Sequence, residues 1–148
     1  MAASLDLRGT RDLDVPIETV FDYVADARND PNWCPLVEGT EQIGGNGPEP
    51  GAVYVWQQRQ GEDDIVPTEV TLTVVERPNR LEWSLDNEGM SYESWMTFQD
   101  LGNGRTRVSQ RNQTTAKHAP EEMGPLMQAQ MEQVFEQQMD NLERILAA

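Results

Sequence analysis

Few side chains in this sequence of 148 residues are of types that make or break bonds, and their neighbours narrow the chemistry further. His118 is the only histidine, in Ala116-Lys117-His118-Ala119-Pro120, a segment read as the loop before a C-terminal helix. Such a histidine can gate a cavity rim or donate a proton there, or simply be solvated. Cys34 is the only cysteine, set between Trp33 and Pro35 with no histidine nearby, which fits a small buried residue better than a nucleophile. One Cys and one His cannot build a zinc finger or a three-histidine site; the many carboxylates leave an oxygen-ligand site open, but no loop has Ca²⁺-type spacing, and no metal site is assigned. A serine triad lacks both a nucleophile elbow and a second candidate base. Asp63 and Asp64 are adjacent in a polar turn and read as solvated. For proton transfer this leaves Tyr92, Arg59 or a carboxylate that the fold buries.

The chain is better supplied for enclosing an apolar molecule. Trp33, Tyr54, Trp56, Trp83 and Tyr92 offer flat faces and a few polar tips. Four of the seven methionines, at 123, 127, 131 and 139, lie in one C-terminal stretch, where flexible thioethers can mould to an irregular ligand or fill a core. Strand alternation turns Trp83 and Leu85 one way, and likewise Tyr92, Ser94, Met96 and Phe98, or Val108, Gln110 and Asn112. The expected lining is Trp33, Tyr54, Trp56, Leu72, Trp83, Tyr92, Met96, Val108, Gln110, Asn112, Met127, Met131 and Phe135. Tyr92, Gln110 and Asn112 are its polar anchors. On 52–59 the face of Val53 and Val55 remains an alternative to that of Tyr54 and Trp56, since a one-residue slip reverses a strand.

The elements that must hold these residues follow from periodicity. Ser4 to Leu13 alternates as a strand. Pro16, Glu18, Val20, Phe21 and Val24 mark a short helix ending near Asp26, with Pro16 in its first turn. Arg28 to Pro35, with two prolines, reads as a turn or one helical loop with Trp33 tucked inward. Strands follow at Val37–Ile43, Ala52–Arg59, Thr68–Glu76, Leu81–Leu85, Tyr92–Leu101 and Arg105–Thr114. The turns between them include Gly61-Glu62-Asp63-Asp64, Arg77-Pro78-Asn79 and the hairpin signal Gly102-Asn103-Gly104. Pro120 to Ala148 is helical, with Met127, Met131, Val134, Leu142 and Ile145 on one stripe and Gly124-Pro125 dividing off a first turn. One amphipathic helix cannot cover a flat sheet of about seven strands, so the sheet must curve around it. A curved sheet with a helix at its mouth leaves a cavity.

Composition bounds the partners. The formal charge is −15, with 26 acidic and 11 basic residues. This surface repels phosphate backbones and anionic headgroups, which excludes nucleic acid and peripheral membrane binding as expectations. It fits a soluble cytoplasmic chain, or one adapted to high salt. Met1 to Asp6 has no signal-peptide pattern, and no segment reaches a membrane span.

Three stretches resemble the START/Bet v1-like (SRPBCC) superfamily in its bacterial polyketide cyclase/dehydrase and lipid-transport branch. Val15 to Asp26 followed by Trp33-Cys34-Pro35 is similar to the opening helix and tryptophan–proline turn. Glu76 to Trp83 is similar to a proline turn between middle strands. Thr97 to Asp100 with Gly102 to Val108 is similar to the late hairpin, and Asn141 to Leu146 to the helix end. The resemblance implies an α+β helix-grip domain over residues 1–148: a curved antiparallel sheet of about seven strands around a long C-terminal helix, with one or two short helices after the first strand. It implies an internal site for a small hydrophobic, aromatic or lipid-like molecule, with no cofactor. In the aromatic cyclases of this superfamily an inward arginine, with Tyr and Ser, holds carbonyls as an enolate forms. Arg59 is the strand-borne candidate here, although alternation sets it opposite Tyr54 and Trp56. A cyclase or dehydratase of a poly-β-ketone is therefore the second expectation, and a ligand-free interaction or stress-response module the third.

Overall fold

A computed structural model describes residues 2–60 and 63–147. Seven strands form one antiparallel sheet: β1 (Ala2–Leu13), β2 (Val37–Gly44), β3 (Ala52–Arg59), β4 (Ile65–Glu76), β5 (Arg80–Asp86), β6 (Met90–Gly102) and β7 (Arg105–Pro120). Their order across the sheet is β1-β7-β6-β5-β4-β3-β2. The meander from β2 to β7 needs only short turns, while β1 pairs with the last strand at the far edge. Between β1 and β2 the chain makes two short helices, α1 (Ile17–Ala25) and α2 (Asp30–Trp33). The sheet curves around the C-terminal helix α3 (Gly124–Leu146), as the helix-grip expectation required.

Alternation sets the core. Leu5 and Leu7 on β1, Leu81, Trp83 and Leu85 on β5, Met96 and Phe98 on β6, and Val108 on β7 are all buried on one face. On β3, Ala52 and Tyr54 are buried while Val53 and Val55 are only partly covered, so the aromatic face points inward. The glycine-rich hairpin forms where predicted, with Gly102, Asn103 and Gly104 all at positive φ. Phe21 of α1 meets Phe98 edge-on at 5.3 Å, and this helix closes one end of the sheet. Arg77, in the β4–β5 turn, is paired with Asp22 of α1 at 2.8 Å.

Several boundaries differ from expectation, three of them for a clear physical reason. Pro16 is the cap before α1 rather than part of its first turn, and its carbonyl accepts from Thr19 and Val20. β4 begins at Ile65, before Pro67, because its first residues pair only with β3; the missing N–H faces no partner strand. β7 continues through the segment read as a loop, since Ala116 lies opposite both Met90 and Ala3 and the ladder holds on both sides. His118 is therefore strand-borne. Of the turn expected at 61–64, Gly61 and Glu62 lie outside the described residues.

Helix α3 is seated unevenly. Its C-terminal half buries Phe135, Met139 and Leu142, whereas Met127, Met131 and Val134 remain partly open. Gly9 makes this seating possible. A Cβ there would stand 2.8 Å from the Phe135 ring, so the strand presents bare backbone where the ring lies. Two residues on, Arg11 reaches Glu136, Asp140 and Glu143, which share one helix face, at 2.6–2.9 Å. Gln128 holds the other half by bonds to both backbone groups of Asp6, at 2.9 and 3.1 Å.

Gly9→Ala should lose about 1–3 kcal/mol in chemical denaturation through overpacking. Adding Phe135→Leu should return part of that loss. A fully stable Gly9→Ala protein would show that the ring does not depend on the bare backbone.

Candidate functional site

The lifted half of α3 leaves a cavity in two connected parts. A wide outer part of about 920 Å³ is walled by Leu5 and Leu7 of β1, Met90 of β6 and Met127, Met131 and Val134 of α3. An inner chamber of about 90 Å³ lies beyond it, and the two share Leu36, Trp56, Gln58, Tyr92, Asn112 and Met131 as walls. Chamber and cavity differ in kind. The outer walls are mainly apolar, whereas the inner end gathers Asp30, Gln58, Tyr92, Ser94, Gln110 and Asn112 among tryptophans.

Nine of the expected lining residues take wall positions. Trp33, Trp56, Trp83, Tyr92, Met96, Gln110, Asn112 and Met131 line the chamber, and Met127 lines the outer part. Four do not. Tyr54, Leu72 and Val108 are fully enclosed, and Phe135 is buried on Gly9. Alternation gave their face correctly, but bulkier neighbours stand between them and the space. Trp83 packs edge-on against Tyr54 at 5.9 Å and lies opposite Leu72 in the ladder. Val108 pairs with Phe98 at the end covered by α1.

Asp30 is the residue that sequence reasoning passed over. In Arg28-Asn29-Asp30-Pro31-Asn32 it looks like one more solvated loop acid. It instead opens α2 and is only 4% exposed. Backbone bonds fix it from both sides, with its N–H donating to Ala27 and its carbonyl accepting from Cys34. The indole N–H of Trp56 donates to its carboxyl at 2.9 Å. Burial pushes its pKa up to about 8, against the pull of the Trp56 and Trp33 indoles, and the nearby charge of Asp26 adds to the rise. Burial also raises the Cys34 thiol and the Tyr92 phenol well above their ordinary values. At neutral pH the chamber therefore presents a mostly protonated acid, a thiol and a phenol.

The polar groups are incompletely satisfied. The Gln110 amide nitrogen has only long contacts, 3.5 Å to Ser94 Oγ and 3.4 Å to Asn112 Oδ1. Gln58 Oε1 and Gln110 Oε1 are buried without a hydrogen-bond partner, and Trp33 Nε1, though close enough to Asp30 to pull on its carboxyl, makes no hydrogen bond of normal geometry; all three residues line the chamber. Buried unpartnered groups are uncommon, because each forfeits its hydration. Arg59 pairs with Glu38 and borders the outer mouth, away from the chamber, so the arginine role implied by the resemblance does not fall to it here. His118 also borders the outer part, matching its expected place at the rim. Among the described residues no group of three or more His, Cys, Asp or Glu is placed to hold a metal, and no helix is long and apolar enough to cross a membrane.

This architecture defines a helix-grip protein with an internal cavity. The family model for polyketide cyclase / dehydrase and lipid transport matches residues 4–147, so the chain belongs to that family, within the SRPBCC superfamily that its sequence resembled. No curated protein matches by sequence. Among solved structures, a START superfamily protein from Mycobacterium smegmatis aligns at TM-score 0.79 and 15% identity, covering 95% of this chain and 96% of its own. The di-domain ARO/CYC BexL from the BE-7585A biosynthetic pathway aligns at TM-score 0.73 and 16% identity, over 98% of this chain and 50% of its own. A point mutant of norcoclaurine synthase from Thalictrum flavum, in complex with a transition state analogue, aligns at TM-score 0.70 and 11% identity, over 99% of this chain and 96% of its own. At these identities the likeness is one of fold.

The raised Asp30 has a consequence for stability. Between about pH 4, where an unfolded carboxyl ionises, and about pH 8, the folded chain holds one more proton than the unfolded one. Its contribution is full below that window and falls as pH rises, by up to about 1.4 kcal/mol per pH unit. Asp30→Asn removes this slope. The variant should gain on the wild type steadily from near pH 5 to near pH 8 in denaturant titrations, and a constant difference would mean that the carboxyl is solvated.

Proposed function

We propose that this protein binds a small, largely apolar molecule, aromatic or lipid-like, with a polar end directed into the inner chamber. One observation carries the reading: an apolar space of about 920 Å³ leads into a buried polar pocket whose hydrogen-bonding groups lack partners. Such a volume suits small-molecule sites, which run from roughly 300 to 1,000 Å³, and weighs against a vestigial cavity. The methionines on the outer wall, Met90, Met127 and Met131, suit ligands of irregular shape. The charge of −15 fits an aqueous, cytoplasmic setting and opposes nucleic acid or anionic membrane surfaces as partners.

A second reading is an enzyme of the cyclase or dehydratase type acting on a poly-β-ketone. It is favoured by Asp30 and Tyr92, two protonated groups on the chamber wall. A carboxylic acid near pH 8 can give up and retake a proton at neutral pH, which general acid–base catalysis requires.

Native mass spectrometry before and after solvent extraction tests the binding reading. An extractable small apolar adduct is expected, together with its loss in Met131→Trp, which fills the passage between the two parts. No adduct, and no protection by any apolar probe, would remove the reading. Tyr92→Phe then separates the two functions. A carrier changes modestly in affinity, whereas an enzyme that uses this phenol loses roughly 10²- to 10⁴-fold in turnover.

A further inference from the structure

The inner chamber has a composition that a merely apolar ligand does not require. Three of the four tryptophans in the chain, Trp33, Trp56 and Trp83, line it, and Tyr92 makes a fourth aromatic wall. Trp56 and Tyr92 meet edge-on at 6.2 Å, so the two rings form adjoining walls. Among the described residues Asp30 is the one carboxyl on this lining, and no Arg, Lys or His accompanies it there. On this lining Gln58 Oε1 and Gln110 Oε1 are buried acceptors without a donor. Aromatic rings, amide oxygens and a carboxyl without a cation are the features that stabilise a desolvated ammonium group.

We propose, on the binding reading above, that the polar end of the ligand is a protonated amine, seated in the inner chamber against Asp30 and the rings of Trp33, Trp56, Trp83 and Tyr92. The small chamber takes an ammonium on a short stem, and the rest of the molecule lies in the outer part between β1 and α3. A neutral or anionic head does not complete the chamber: a carboxylate would face the Asp30 carboxyl with no base to offset it. The net charge of −15 raises the concentration of cations around the protein as a whole.

Entry of the ammonium displaces a proton. In the empty chamber Asp30 is held mainly as the acid by burial. As R–NH₃⁺ enters, the Asp30 O–H bond breaks, its proton passes to buffer and the carboxylate pairs with the ammonium. The titratable groups facing Asp30 are Asp26 from the preceding turn, itself paired with Arg28, Cys34 after α2, Tyr54 from β3 and Tyr92 from β6. Cys34 and both tyrosines stay neutral near pH 7, which leaves Asp30 to release the proton.

The test compares three probes that share a phenethyl skeleton: phenethylammonium, phenethyl alcohol and hydrocinnamate, by calorimetry with the full chain near pH 7. Phenethylammonium should bind about tenfold or more tighter than the alcohol, hydrocinnamate should bind weakest, and titrations in buffers of different ionisation heat should show nearly one proton released. In Asp30→Asn the preference should collapse, while Glu69→Gln, an exposed change on the outer face of β4, should keep it. Equal or tighter binding of the alcohol or the anion overturns the amine and leaves the cavity reading intact. A preference that survives in Asp30→Asn overturns it as well, since general surface charge would then be the cause. Binding of none of the three overturns it, and the mass-spectrometric experiment decides separately whether anything occupies the cavity. If Asp30→Asn does not fold, the ranking of probes and the proton count in the wild type decide alone.

Discussion

The contact between the bare backbone of Gly9 and the ring of Phe135 decides where α3 lies, and with it whether there is a cavity at all. The ring approaches a strand that has no Cβ to hold it off, and Met139 and Leu142 follow it into the core. Arg11 then meets three carboxylates on the exposed flank of the same half. Each exposed pair is worth little alone, but one partly buried guanidinium shared among three partners fixes the rotation of the helix. The N-terminal half is tied to β1 only at its flank, by Gln128 on the backbone of Asp6. Along that half Met127, Met131 and Val134 are only partly buried and line the cavity.

The inner end of that space depends on a different constraint, the burial of Asp30. A carboxyl removed from water stays charged only if donors replace its hydration. Here one indole donates at good geometry, which is too little to hold the anion at neutral pH. The acid is kept in place by the backbone rather than by ion pairing, since α2 begins at this residue and its peptide groups are bonded to Ala27 and Cys34. Such placement tolerates either protonation state. The same short helix sets Trp33 into the wall, and its carbonyl accepts from Asn141 of α3. The anchored half of the long helix and the floor of the chamber are thus one piece of structure.

Much of this was legible in the sequence because alternation and helical spacing report on faces. The strand order of a meander, the inward side of β5, β6 and β7, and the stripe of α3 all follow from residue period. Depth is another matter. Tyr54 and Trp56 lie on the same side of β3, yet one is sealed in the core and the other borders the cavity, because the bulk of Trp83 comes from a strand that period alone does not bring close. Asp30 was illegible for a related reason. Its neighbours are polar and its partner, Trp56, lies 26 residues on. The extension of β7 to Pro120 likewise required its pairing with both Met90 and Ala3 to be known.

Separating an apolar mouth from a polar end divides affinity from selectivity. Area buried in the outer part contributes to binding almost regardless of detail, roughly 25 cal/mol per Å², and tolerates variation in ligand shape. A small enclosed chamber with unpartnered groups is far less forgiving. A ligand whose head satisfies Gln58, Gln110 and Asp30 restores hydrogen bonds that the empty protein lacks, whereas one that does not leaves them buried and unpaired, so discrimination there is steep. Bond-making chemistry that used Asp30 or Tyr92 would take place at that same end. The question of what this protein recognises and the question of whether it transforms it therefore converge on the same few atoms around α2.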